Sequence, residues 1–204
     1  MEHLVTSIEE LTGLYDEPFE RSIRKQLDRL DEHCRAFIRA SPMLMIGTES
    51  NGMADCSPRG DQPGFVQVAD DKTLLIPDRR GNNRLDTLRN IVLNPRVGLL
   101  FLVPGVNETF RVNGLASVSR DPALLERFAV SGKLPRTVIV VEVKEAYVHC
   151  GRALARADLW NPAKFGAIPV PSFGTMLVAH TSGFVKDAAA FDEEARVRAP
   201  ATLY

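Results

Sequence analysis

Between residues 19 and 40 the apolar positions Ile23, Leu27, Leu30, Cys34 and Phe37 recur at steps of four and three. Arg24, Lys25, Asp28, Arg29 and Glu32 take the other face, so the period predicts an amphipathic helix over 19–40. Ser41-Pro42 ends it, because proline cannot continue the ladder and disfavours helix at the residue before it. From Met43 the character changes to short β-rich segments. Met43–Glu49, the turn-like Ser50-Asn51-Gly52 and Met53–Ser57 predict a hairpin. Gly64–Val68 and Lys72–Ile76 make a second pair around Ala69-Asp70-Asp71. Asn82 or Asn83 can cap a short helix with Leu85, Leu88, Ile91 and Val92 on one face, stopped by Asn94-Pro95.

Three longer β segments follow. Val97–Val103 is almost wholly apolar, as a strand buried on both faces would be. From Glu108 to Ser119 the residues alternate, with Phe110, Val112, Ala116 and Val118 on one side and Thr109, Arg111, Asn113 and Ser117 on the other. Thr137–Val148 closes the set. Between the last two, Asp121-Pro122 supplies a cap and a first-turn proline for a short helix. Strands joined by short turns, with few helices between them, predict a mainly β, antiparallel barrel with flanking helices (an α+β chain) rather than a doubly wound parallel sheet. The whole of 1–204 reads as one domain, with 163–204 a C-terminal extension of weak periodicity that either wraps a partner subunit or stays mobile.

Composition narrows the function. With 25 basic and 26 acidic residues the net charge is −1, so no global field draws in nucleic acid or an anionic membrane. Val97–Val103 falls far short of the ~20 apolar residues of a spanning helix. The opening MEHLVTSIEE lacks the basic start and apolar core of a secretory signal. Cys34, Cys56 and Cys150 are odd in number and widely spaced, which fits a reducing cytoplasm better than a disulfide scaffold.

Two stretches stand out chemically. Ser57-Pro58-Arg59-Gly60-Asp61 follows a predicted strand, and Pro77-Asp78-Arg79-Arg80-Gly81-Asn82-Asn83-Arg84 joins a strand to a helix start. Guanidinium forks and free amides of a first helical turn are what a phosphate monoester needs. The competing reading is that these arginines decorate exposed turns and pair with Asp55, Asp61, Asp78 and Asp86. His149 and Cys150, as neighbours on a strand, point to opposite faces, and His3, His33 and His180 make no ligand spacing with a cysteine, so no metal site is expected. Cys56 and Cys150 read as small core residues rather than nucleophiles. Rossmann, P-loop and Gly-x-Ser-x-Gly patterns are missing.

The run from Leu75 through Pro77-Asp78-Arg79-Arg80-Gly81-Asn82-Asn83-Arg84 to Ile91, and then Asn94-Pro-Arg-Val-Gly-Leu-Leu-Phe101, resembles the pyridoxamine 5'-phosphate oxidase-related flavoproteins. Ser57-Pro58-Arg59-Gly60-Asp61, Arg111-Val-Asn-Gly-Leu-Ala116 and His149-Cys-Gly-Arg-Ala-Leu154 resemble further signatures of an FMN-binding subgroup, so the likeness spans roughly 40–165. It implies a split β-barrel homodimer with FMN sites at the subunit interface. By position, Arg79, Asn83 and Arg84, with Asn82 beside them, would contact phosphate. Arg59 and Gly60 would lie along the flavin or its ribityl chain, with Asp78 accepting from polar groups there. Thr109 and Arg111 would sit near the isoalloxazine, where a positive charge favours reduced flavin. Arg111 has an alternative role in a cross-strand ion pair with Glu142. Trp160 either covers the flavin ring from the second subunit or packs as plain apolar area in the interface.

The function so implied is an FMN-dependent oxidoreductase acting on a small molecule, with NAD(P)H as a candidate electron donor and no catalytic acid or base identified. The alternative is a flavin carrier, sensor or interaction protein without turnover, and a related barrel taking deazaflavin or haem is a third reading. The tail offers Arg196-Val197-Arg198 with no histidine near it, a departure from true pyridoxamine phosphate oxidases that argues against vitamin B6 oxidation.

Overall fold

The expected single helix over 19–40 is two helices with an extended joint. In the computed structural model, which describes residues 3–166 and 169–204, α1 (Ile8–Thr12) is followed by α2 (Glu20–Arg24) and α3 (Glu32–Ala40). At the joint the Leu27 amide donates to Ala146 O at 3.0 Å, and the Ala146 amide donates back to Leu27 O at 2.8 Å. This β-bridge competes with the helical ladder and wins because it also docks Leu27 against the interior. Asp31 then restarts the helix, its side chain accepting from the Cys34 amide at 2.8 Å. Ile23, expected on the apolar face, is 60% exposed.

β1 (Met43–Ser50) and β2 (Met53–Gly60) form the expected hairpin. Asn51 and Gly52 carry it with φ of 52° and 75°, the left-handed conformations a two-residue turn requires. β2 runs three residues past the expected end at Ser57, so Pro58, Arg59 and Gly60 belong to a strand rather than to a loop. Proline is tolerated there because β2 pairs with β1 alone and its other edge is open. β3 (Gln67–Val68) and β4 (Thr73–Pro77) pair as predicted.

α4 (Asp86–Leu93) begins later than Asn82 or Asn83. Asn82 spends its side chain in a turn, accepting from the Arg84 amide at 3.1 Å, and Leu85 takes the cap position with φ of 63°. Its buried residues are Thr87 and Ile91, whereas Leu85 and Val92 are exposed.

β5 (Arg96–Leu102), β6 (Thr109–Ser119), α5 (Pro122–Glu126) and β7 (Val138–His149) follow. β5 alternates rather than burying both faces: Val97, Leu99 and Phe101 are buried, Leu100 and Leu102 only partly. Asp121 caps α5 as expected, accepting from the Ala123 amide at 2.9 Å. After α6 (Arg152–Ala157), the 163–204 extension contains α7 (Phe173–His180) and α8 (Ala188–Arg198), and its residues 167–168 lie outside the described ones. These two helices hold each other through Phe173 and Phe191, ring centroids 5.7 Å apart, and a Gly174 amide to Asp192 Oδ1 bond of 2.7 Å.

The seven strands make one antiparallel sheet in the order β2-β1-β5-β6-β7-β4-β3. One face of β1, β5, β6, β7 and β4 feeds a common interior that includes Ile46, Leu99, Val112, Val141 and Ile76, closed by Leu30 and Ile38. This is the expected split β-barrel: a sheet coiled around its own core, with helices flanking it. A bulge at Asn113/Gly114 bends β6. Gly114 is required there, since a Cβ would lie 2.3 Å from Glu142 O. Among the described residues no helix is long and apolar enough to cross a membrane.

Candidate functional site

β2 forms one margin of the sheet and β4 with β3 the other, yet residues from both line a single cavity of about 860 Å³. Pro58, Arg59 and Gly60 contribute from β2, and Asp78 through Leu85 from the turn between β4 and α4. Of the residues expected at the site, Arg59, Gly60, Asp78, Arg79, Asn82, Asn83 and Arg84 are therefore together.

Their states differ. Arg79 is anchored: its Nε sits 2.7 Å from Asp61 Oδ2, its Nη1 donates to Phe128 O at 2.7 Å, and the two side chains of the pair are 17% and 5% exposed. Asp61 also accepts from the Tyr204 hydroxyl at 2.5 Å and from the Gln62 amide at 2.7 Å. Burial pushes its carboxyl up, but the bonds from Tyr204, Gln62 and Arg79 outweigh that and leave it below the usual carboxylate range. The Tyr204 ring lies 5.3 Å from the Arg79 guanidinium, so the end of the chain forms part of the cavity wall. Arg84 pairs with Asp86 at 2.7 Å at the exposed rim. The expectation that these arginines meet nearby carboxylates holds for these two.

Arg59, Arg80 and Arg136 are different. Among the described residues none of the three has a carboxylate within ion-pair distance, and all line the cavity. Asp78 is half-buried. Burial pushes its carboxyl up from the ordinary value, and the charges of Arg59 and Arg136 offset part of that. Its position is set by the backbone, the Asp78 amide donating to Thr137 O at 3.0 Å.

Arg136, Lys133 and Tyr204 were not among the residues expected from sequence. Pairing of β4 with β7, Pro77 opposite Val138, brings the 133–136 loop beside Asp78. A lysine and an arginine flanking Leu134-Pro135 just before a strand were the available signal.

Thr109, Arg111 and Trp160 do not line the cavity. Thr109 is buried opposite His149 in the β6–β7 ladder. Arg111 donates to the Tyr147 hydroxyl at 3.0 Å. The ion pair with Glu142 does not form, because the bulged register sets Glu142 opposite Leu115 and its carboxylate meets Lys144. Burial, with Arg111 and Lys25 nearby, lowers the His149 pKa. Trp160 is half-buried and donates from Nε1 to Val106 O at 2.9 Å.

Cys56 and Cys150 are exposed rather than core residues, Cys56 because it lies on the open strand β2 and Cys150 because β7 ends before it. Among the described residues no three His, Cys, Asp or Glu side chains gather as metal ligands would.

The family model of pyridoxamine 5'-phosphate oxidase matches residues 30–150, more than half of the chain. No curated protein matches. Among solved structures, HupZ of Group A Streptococcus is 18% identical, with a TM-score of 0.48 over 58% of this chain and 93% of its own. General Stress Protein 26 of Bacillus anthracis is 18% identical, with a TM-score of 0.43 over 55% of this chain and 88% of its own. The FAD binding protein of Mycobacterium smegmatis is 18% identical, with a TM-score of 0.42 over 60% of this chain and 97% of its own.

Proposed function

The chain belongs to the pyridoxamine 5'-phosphate oxidase family, and from that premise we propose that it is a flavoprotein that holds FMN in the cavity between β2 and the β4–α4 turn. The observation that carries this reading is a cavity of about 860 Å³ in which Arg59, Arg80 and Arg136 face no carboxylate partner within ion-pair distance. That volume suits a cofactor-sized ligand. Cations with no carboxylate in ion-pair reach beside a polar turn suit one with a doubly charged end.

The residues fit the group. Arg80 and Arg84, with Asn82 and Asn83, would hold the phosphate, while Arg59, Gly60 and Asp78 would face the ribityl chain or ring. Arg79 acts as a strut, since Asp61 and Phe128 already take two of its donors. Each hydrogen bond to a charged group contributes about 1.5–3 kcal/mol net, so three approach the roughly 8 kcal/mol of a micromolar complex. Phe65, Leu134 and Pro135 supply apolar wall that limits water around a bound ring.

When bound, FMN supplies hydride and electron transfer. The chain's part is to bind, orient and shield, and the finer reading is an oxidoreductase that acts on a small molecule and draws on NAD(P)H. Arg196 is occupied by Glu193 at 2.6 Å on the exposed face of α8, which supports a substrate other than a B6 phosphate. The protein would work as a cytoplasmic homodimer. Support comes from the exposed Ile8, Leu14 and Phe19 of the N-terminal segment, and from Thr109, Arg111 and Trp160, which would then serve a partner's cavity. The free thiols of Cys34, Cys56 and Cys150 suit a reducing compartment.

The test is the absorption spectrum and mass of the molecule that copurifies, followed by titration of FMN into stripped protein. FMN, deazaflavin and haem differ in spectrum, and binding of FMN weaker than about 100 μM would overturn the reading, an affinity below any cofactor role. Mixing the loaded protein with NADH or NADPH then separates an oxidoreductase, whose flavin bleaches within a turnover, from a carrier, whose flavin does not.

A further inference from the structure

α7 and α8 form a unit that one residue fastens to the barrel. They hold each other through the Phe173 and Phe191 rings and the Gly174–Asp192 bond, and a Cβ on Gly174 would come to 2.4 Å from Ala188 O. Outward the unit is loosely seated: α8 buries no residue, α7 buries only Gly174, and Phe173, Phe184 and Val197 are exposed. Among the described residues, every hydrogen bond and ion pair between 169–204 and the rest of the chain is made by Tyr204. Its hydroxyl donates to Asp61 Oδ1 at 2.5 Å, its carbonyl accepts from Lys133 Nζ at 3.0 Å, and its ring lies 5.3 Å from the Arg79 guanidinium. Arg79 and Lys133 line the cavity together with Tyr204.

We infer that residues 169–204 are a strap over the cavity, fastened at Tyr204, which closes one wall of the cavity when seated and opens it when released. Two features make this contact a fastening rather than a strut. The Asp61–Arg79 pair is complete without the tyrosine, since Arg79 takes Oδ2 and Tyr204 takes Oδ1. Lifting Tyr204 therefore strands no buried charge, as lifting Arg79 would. An element with little buried apolar surface and few ties also opens at small cost compared with unfolding of the whole chain.

The strap is a gate and not a plug. With Tyr204 seated in its wall the cavity still measures about 860 Å³, so the fastened state leaves room for an occupant. Release frees the Lys133 ammonium and opens the corner beside Arg79, while the barrel keeps its own pairing.

Spin labels on Cys56 in β2 and on Ala190→Cys in α8 read the fastening directly, in a Cys150→Ser chain with labelled protein diluted into unlabelled. The native tyrosine should give one narrow distance. Tyr204→Ala, which removes hydroxyl and ring, should give a broad and longer one with the Tm little changed. A narrow distance that survives in Tyr204→Ala, or a broad one already present with Tyr204, overturns the strap. The second arm draws on the flavin reading and follows FMN binding by stopped flow. Opening limits passage in both directions, so Tyr204→Phe should speed association and dissociation by the same factor and leave Kd nearly as it was. That factor is about ten-fold or more, as loss of one hydrogen bond to a charged group implies. Unchanged rates, or faster dissociation alone with a raised Kd, would sink the gate, the latter because it marks a plain wall contact. If the native protein fails to bind FMN, the flavin reading falls and the label distances decide the strap.

Discussion

Removing the Asp61 carboxylate should destabilise the protein through Arg79 more than through any contact of Asp61 itself. In Asp61→Ala the Arg79 guanidinium, 17% exposed, would keep Phe128 O at 2.7 Å but lose the carboxylate it pairs with. Breaking one side of a buried pair costs about 3–5 kcal/mol, because an uncompensated charge stays behind. The remaining carbonyl and the partial exposure reduce this to about 2–4 kcal/mol. For a chain of 204 residues that lowers Tm by roughly 5–15 °C, at about 2–4 °C per kcal/mol.

The pH dependence follows from the sign of the Asp61 shift. Its folded pKa lies below the unfolded one, so its contribution is complete above the unfolded value of about 3.9 and fades as pH falls through the folded value. The gap between wild type and Asp61→Ala in urea unfolding should be constant from about pH 6 to 8 and shrink towards about pH 3. Asp61→Leu combined with Arg79→Met should be more stable than Asp61→Ala alone, since it leaves no buried charge. A loss below about 0.5 kcal/mol, within the range of an exposed pair, or a double variant no better than the single one, would refute the reasoning.

Three further outcomes are expected. Gly114→Ala places a Cβ 2.3 Å from Glu142 O, so the β6 bulge must shift, and thermal unfolding should show a loss of about 2–3 kcal/mol. In native protein a thiol reagent should titrate Cys56 and Cys150 quickly. Cys34 should react only after unfolding, because burial and the neighbouring Asp31 push its pKa to about 11. Arg80→Ala with Arg84→Ala should weaken FMN binding at least 100-fold by fluorescence titration, about 2.7 kcal/mol or more, with the Tm changed little because both side chains are exposed.

β6 was readable because one face of it feeds the interior, which writes a period of two into its residues, whereas β5 is so apolar that its alternating burial was hidden behind a both-faces-buried reading. The hairpin at Asn51-Gly52 and the capped α5 were readable because both are local. Errors arose where a distant contact overrode a local signal. Leu27 fits a helical period, but its amide and carbonyl go to Ala146, more than a hundred residues on. Pro58 looks like a strand end, yet an open edge tolerates it. Asn82 looks like a cap, but its side chain serves a turn. Half of the cavity, the two stretches around Arg59 and Arg79, was visible as arginine-rich runs. Lys133, Arg136 and Tyr204 were not, since only strand pairing and the return of the chain's end bring them there.

The two margins of the sheet share no strand pairing, since β2 pairs only with β1 and β4 lies four places beyond β1 in the order. A molecule held at once by Arg59 from one margin and by Asp78 and Arg80 from the other, as proposed, would act as a clasp across the seam of the barrel. Loading the site should therefore slow amide exchange most along β2 and the 78–85 turn, and the empty protein should begin to melt at that seam.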